Sequence, residues 1–320
     1  MRKTIRLVYD IPEFTRWESD WIHYLLRDFN VITILDADHR VVDENVILAV
    51  SFSSPEQAPK IAGHLQMFKR QGLSAGVLHL SDEFGSAPLD FYRDAAFVFR
   101  NYYRRPAMRK WNARYLCLGY KSGFTKCIQE RAIADRRIVW SFAGQLKTTR
   151  AAMLLQANAI AGGFHHLTTQ WNDPAALDTQ RYAEMLNDTV FALCPRGNRA
   201  VDCFRVYEAL EAGAIPIVED RSTMGSIGDL LRPGGTRLFS KFGPRDCVSN
   251  LGNHGLASYW TAAYGPDFPC PRINYWENLG EVMRSIDVEE TAGRVRRWWR
   301  EYKDTLTARV AEAVSRTFTE

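Results

Sequence analysis

An alternation of short apolar runs with helical patterns, written twice around an irregular middle, constrains this chain most. In the first half, residues 4–9 (TIRLVY), 31–35 (VITIL), 46–52 (VILAVSF), 75–80 (AGVLHL) and 95–99 (AAFVF) read as strands. Segments 18–29 and 55–72 between them read as helices, and the second opens on serine and proline and stops at Gly72. The alternation resumes with strand 137–142 (RIVWSF), helix 148–162, strand 189–194 (TVFALC), helix 203–212 and strand 214–218 (AIPIV). Strands separated by helices form parallel sheets covered on both faces. The sequence therefore predicts an α/β fold in two halves facing a cleft.

The middle, 100–135, is aromatic, basic and irregular around one short strand at 115–118, and reads as the connection between the halves. Residues 221–275 are rich in Gly and Pro, with a short strand expected at 236–239. The C-terminal segment reads as two helices interrupted near Gly293. The expected domains are 1–130, 131–285 and a pair of closing helices at 286–320.

Bulk properties narrow the partners. A length of 320 residues suits two domains. The formal net charge of +4 is too small to demand nucleic acid, and it is compatible with an anionic ligand or an anionic membrane surface. Six cysteines without a CxxC pair give a zinc site no support and read as free thiols in a reducing cytoplasm. No stretch reaches the ~18 uninterrupted apolar residues of a spanning helix. No secretory signal is visible, so a cytoplasmic protein is expected.

Ligands of open α/β sheets sit at the carboxyl ends of strands, and that rule ranks the sites. First comes FALCPRGNRAVDCFRVYEALEAGAIPIVED, residues 191–220. Its loop carries Arg196, Gly197 and Arg199. Asp202 is placed to cap the helix and Gly213 to stop it. A helix start offers N–H groups and a partial positive charge to an anion. Arg205 and Glu208, three apart, share a face. The arginine suits a diphosphate and the glutamate suits the vicinal hydroxyls of a ribose. The plain alternative is that the two side chains only pair with each other.

A second corner is FAGQLKTTR, residues 142–150. Gly144 permits a turn, Lys147 and Arg150 flank a helix start capped by Thr148, and the spacing is not that of a Walker A loop. Third, Asp82 and Glu83 follow strand 75–80 and are candidates for a general base, with Asp10, Glu13 and Asp20 as substitutes near another strand end. Either acid at 82–83 is equally at home as a cap or a solvated loop residue. Fourth, Asn101, Tyr120 and Lys121 follow expected strand ends and would hold an acceptor or line a hinge. Adjacent His165 and His166 lack the i, i+4 spacing of helical metal ligands. The basic aromatic run 294–303 reads as packing onto a domain rather than touching lipid.

The stretch Cys203-Phe204-Arg205-Val206-Tyr207-Glu208-Ala209, with Gly213 to Asp220 behind it, resembles the signature of the exostosin-type glycosyltransferases, most closely their ribitol-5-phosphate xylosyltransferase branch. The likeness is specific over about thirty residues and extends over 137–220. It implies a GT-B fold with two Rossmann-like domains, a UDP-sugar donor in the C-terminal one, and C-terminal helices returning to the first domain. It implies inversion at the anomeric carbon, without a metal or other cofactor. The acceptor implied is a glycan or polyol phosphate, and the sugar that the nearest branch suggests is xylose. Arg205 would contact the diphosphate, Glu208 the ribose, and Lys147 and Arg150 further phosphate oxygens. The resemblance also fits a bacterial enzyme of polysaccharide biosynthesis at the inner face of the cytoplasmic membrane. Two rivals stand beside it: a nucleotide-binding protein without transferase activity, and a nucleic-acid binder using residues 100–114.

Overall fold

The computed structural model describes residues 2–11, 16–51, 56–170, 173–198, 200–220 and 257–318. The expected strand at 236–239, Arg199 and Glu13 lie outside them. The chain divides into two compact units, one built mainly from Met1–Leu118 and Tyr302–Glu320, the other from Gly119–Leu251 and Gly255–Glu301.

The first unit holds β1 (Thr4–Tyr9), α1 (Ser19–Leu25), β2 (Asn30–Leu35), β3 (Val46–Ser51), α2 (Gln57–Arg70), β4 (Ala75–Leu80), β5 (Val98–Arg100), α3 (Arg105–Met108) and β6 (Ala113–Tyr115). Its six strands are parallel, in the order β2-β1-β3-β4-β5-β6. Central β3 and β4 are apolar runs buried on both faces, as parallel strands under helices must be. Their core partners Ile61, Leu65 and Phe68 come from one stripe of α2.

The second unit holds β7 (Ile138–Gln145), α4 (Thr148–Ala157), β8 (Gly163–Thr168), α5 (Thr179–Asn187), β9 (Thr189–Cys194), α6 (Phe204–Glu211), β10 (Ile215–Glu219), α7 (Tyr259–Tyr264), β11 (Arg272–Ile273) and α8 (Leu279–Arg284). The final helix, α9 (Val288–Thr317), begins in this unit and ends in the first. The sheet is again parallel, in the order β11-β10-β9-β7-β8. Counted from β7, this repeats the strand order of β1 to β5. Two doubly wound parallel sheets in one chain agree with the two Rossmann-like domains that the resemblance implied. In each sheet the winding reverses beside the first strand, between β1 and β3 and between β7 and β9.

Several elements differ from expectation. The strand expected at 115–118 forms at Ala113–Tyr115. The helix expected over 148–162 ends at Ala157, and Gly163–Thr168 forms an edge strand. Most of that strand is exposed, so its sequence lacks an apolar run. Helix α5 was also not expected. No break occurs at Gly293: α9 passes through it, and the interruption falls before Val288, where Asp287 Oδ1 accepts from the Glu290 N–H at 2.9 Å. One glycine costs a helix about 1 kcal/mol, too little to break thirty residues.

Candidate functional site

The second unit's switch point lies between the carboxyl ends of β7 and β9, and two chain segments meet there. From β7 come Phe142, Gly144 and then Lys147 and Arg150 at the start of α4. From β9 come Arg196, Gly197 and Asn198, followed by α6 with Arg205 and Glu208.

Arg150 joins the two segments. It is buried, and its guanidinium donates to the Gln145 carbonyl at 2.7 Å and the Arg196 carbonyl at 2.9 Å. Lys147 makes a second tie across the same gap, donating to Asn198 Oδ1 at 2.6 Å. Expected as phosphate ligands, both side chains hold the two loops together. The carboxylate of Glu219, at the end of β10, fixes the second loop from behind. Its Oε2 accepts from the Arg196 N–H at 3.1 Å and from Trp276 Nε1 at 3.2 Å.

Arg205 stands differently. Its guanidinium lies 5.5 Å from the centroid of the Phe142 ring. Gly144 lies beside Arg205, with Nη2 3.9 Å from where a Cβ would stand, and its φ of +144° is one that glycine adopts without strain. Arg205 Nε is buried without a hydrogen-bond partner. Among the described residues no ion pair joins Arg205 to Glu208, so the plain pairing considered from sequence does not form. Glu208 instead accepts from the Lys121 N–H at 3.3 Å and bonds the Tyr182 hydroxyl. Burial raises the carboxyl of Glu208, and burial also holds the Tyr182 phenol and the Cys194 and Cys203 thiols in their protonated forms.

Two capping expectations fail. Cys203, not Asp202, occupies the cap position of α6 and makes no side-chain cap bond. Asp202 accepts from the Tyr207 hydroxyl at 2.6 Å and the Tyr259 hydroxyl at 2.8 Å, which buries it in an aromatic network. Lys147, not Thr148, is the cap residue of α4. Gly213 does stop α6 in the left-handed conformation, with φ +69°. Thus α6 presents an N-terminus uncovered by a side-chain cap, beside a partly buried arginine, at the switch point of a parallel sheet. That arrangement favours an anion with at least two groups of negative oxygens.

Sequence reasoning missed Tyr182 and Glu219. Tyr182 rides on α5, whose only local signal is Asp178, which caps the helix by accepting from the Arg181 N–H. Glu219 was read only as part of the family-like stretch Gly213 to Asp220, not as a site residue.

In the first unit, Asp82 does not fit the role of base. Its Oδ2 pairs with Arg100 at 3.0 Å, its Oδ1 accepts from the Ser86 N–H at 2.9 Å, and it is buried. A carboxylate held this way is a structural counterion to a buried arginine. Glu83 is partly exposed on the same rim. Asn101 follows β5 and is buried, with both side-chain polar atoms unpartnered. Tyr120 is buried, whereas Lys121 is exposed and serves Glu208 through its main chain. At the switch point of this sheet, Asp10 Oδ1 accepts from the Ser51 N–H at 3.1 Å, while Oδ2 is buried without a partner. Burial pushes the Asp10 carboxyl up to about 6 and the Glu18 carboxyl up to about 7. Asp20 lies in the first turn of α1. Among the described residues no group of three or more His, Cys, Asp or Glu is arranged to hold a metal, and no helix is long and apolar enough to cross a membrane.

The match to a known family falls on the second unit. The family profile described as "RXYLT1 C-terminal domain" matches residues 142–244. Ribitol-5-phosphate xylosyltransferase 1 of Danio rerio is 31% identical over 98 residues, which cover 29% of this chain and 22% of that protein. The similarity therefore spans about a fifth of the relative's length. Among solved structures, an α1,3-fucosyltransferase has a TM-score of 0.40 at 10% identity, covering 68% of each chain. Anabaena Alr3699/HepE in complex with UDP has a TM-score of 0.45 at 8% identity, covering 98% of this chain and 99% of that one. The resemblance read from Arg205 and Glu208 is borne out: residues 142–244, which hold the β7–β9 site, are similar to a glycosyltransferase domain.

Proposed function

We propose that this protein is a UDP-sugar-dependent glycosyltransferase of the exostosin-like kind, with its donor held at the β7–β9 switch point. The observation that carries this reading is Arg205: a partly buried guanidinium at the head of α6, without an ion pair among the described residues, inside the matched segment. Arg205 and the α6 N-terminus would take the diphosphate, and Glu208, positioned by Lys121 and Tyr182, would accept from the ribose hydroxyls. Lys147 and Arg150 would act chiefly by holding the two loops at the spacing the diphosphate needs. These positive groups would offset the charge of the departing diphosphate without calling on a metal.

The acceptor hydroxyl would lose its proton to a carboxylate base as its oxygen bonds to the anomeric carbon. The bond from that carbon to the β-phosphate oxygen breaks with inversion, and UDP leaves. Asp10 fits the base better than Asp82, because it has a buried oxygen without a partner and a carboxyl near 6. Glu83 is the other acid of that edge. Xylose and a glycan or polyol phosphate are the donor sugar and acceptor that the matched relative points to.

The test is a transfer assay over a panel of UDP-sugars, UDP-xylose among them, with polyol-phosphate and glycan acceptors, and product configuration read by NMR. Transfer with an inverted anomeric centre is expected. A retained configuration would overturn the single-base mechanism. UDP binding with no transfer to any acceptor would favour a nucleotide-binding protein without transferase activity.

A further inference from the structure

Residues 95–129 contain eight Lys or Arg and no Asp or Glu. Four of these cations, Arg105, Arg109, Lys110 and Arg114, are exposed on α3, on the turn after it and on β6. Among the described residues none of the four makes an ion pair. At their centre Trp111 is 76% exposed.

The turn does not need the indole for its own stability. Its main chain closes through Lys110 N–H to the Ala107 carbonyl at 3.0 Å and Ala113 N–H to the Lys110 carbonyl at 3.1 Å. The neighbouring Asn112 is buried and donates to the Tyr92 and Ala95 carbonyls, each at 2.7 Å. Asn112 thus anchors the turn to the core and leaves Trp111 outside. An exposed indole flanked in sequence by four exposed cations, none in an ion pair among the described residues, has the composition of a membrane-interface contact: the ring settles at headgroup depth and the cations meet anionic lipid.

Nucleic acid would be the other polyanion. Yet α3 spans four residues, too short to read a groove. The neighbouring Tyr103 and Tyr115 rings, 6.0 Å apart, pack on each other rather than extend a stacking platform. The turn also precedes β6, so it lies at the amino end of a parallel sheet whose candidate site residues lie at the carboxyl ends.

We propose that the Arg105–Arg114 surface, with Trp111 at its centre, docks the protein onto an anionic lipid bilayer. The test is co-sedimentation, without nucleotide, using vesicles of phosphatidylcholine alone or mixed with phosphatidylglycerol. Because no donor or acceptor is present, its outcome is independent of the transferase reading. Wild-type protein should sediment with the mixed vesicles only, and about 0.5 M salt should release it. The double substitution Arg109→Gln, Lys110→Gln should weaken binding about fivefold per charge removed, and Trp111→Ser about tenfold. All of these side chains are exposed, so the melting curves of the variants should match wild type. If a variant did not fold, the lipid and salt arms on wild-type protein would still decide the matter. Failure to sediment with anionic vesicles, equal sedimentation of folded variants, or tighter binding to a labelled DNA duplex than to vesicles would overturn the proposal.

Discussion

At the residue scale, a cationic partner separates buried acids that build the fold from buried acids able to take a proton. Asp82 belongs to the first kind, since it balances Arg100 inside the first unit. Asp82→Asn should destabilise the protein by about 3–5 kcal/mol, because it leaves a buried guanidinium uncompensated. Urea unfolding would show this, and an unchanged midpoint would return Asp82 to the list of bases. Glu18 belongs to the second kind. Its carboxyl is raised to about 7 by burial, so between the unfolded value and 7 the folded state holds a proton that the unfolded state has released. That contribution is complete below about pH 4.5 and is lost as pH rises through 7. Glu18→Gln should therefore flatten the fall in stability between pH 5 and 8, as followed by thermal melts of both proteins. The spacing of Arg205 and Glu208 was legible because three residues of helix place them on one face. The tie that Arg150 makes between two loops was not, because its partner carbonyl at Arg196 is 46 residues away.

At the element scale, the donor site depends on how two loops are held at the ends of β7 and β9. Glu219 of β10 is the support that the sequence least advertised. Glu219→Ala would remove the acceptor shared by the Arg196 N–H and Trp276 Nε1. The expected cost is about 1–3 kcal/mol for each donor left buried. UDP affinity should fall with it as the Arg196 loop loosens, read by titration beside urea unfolding. The central strands were legible because parallel strands covered on both faces must be continuous apolar runs. Edge strand β8 and helix α5 were not: the first exposes most of its residues, and the second offered a single cap. The ends of α6 illustrate the same limit. Gly213 was readable because only a left-handed residue stops a helix that way, whereas Asp202 was drawn from capping by two tyrosines of later sequence and its own helix.

At the scale of the whole molecule, two sheets of one strand order share a single chain, and the first unit borrows its last segment from the far C-terminus. Leu306, Val310, Val314 and Phe318 are buried, Phe318 packs its ring 6.1 Å from that of Phe97, and Arg27 donates to Thr307 Oγ1 at 2.6 Å. Ending the chain after Glu301 should expose the first unit's core and make it the earlier target of limited proteolysis, with the second unit's fragments persisting. The alternation of strand and helix foretold both sheets, but no local pattern could assign that final segment to the first unit, because its partners lie some three hundred residues earlier. The account rests on the second unit's switch point being a diphosphate site. Calorimetric titration of UDP into the wild-type protein and into Arg205→Ala tests it most directly. Saturable binding to the wild type is expected, weakened by ~1.5–3 kcal/mol in the variant. Equal affinity in the two proteins, or binding of GDP, CMP or ADP where UDP gives none, would contradict it.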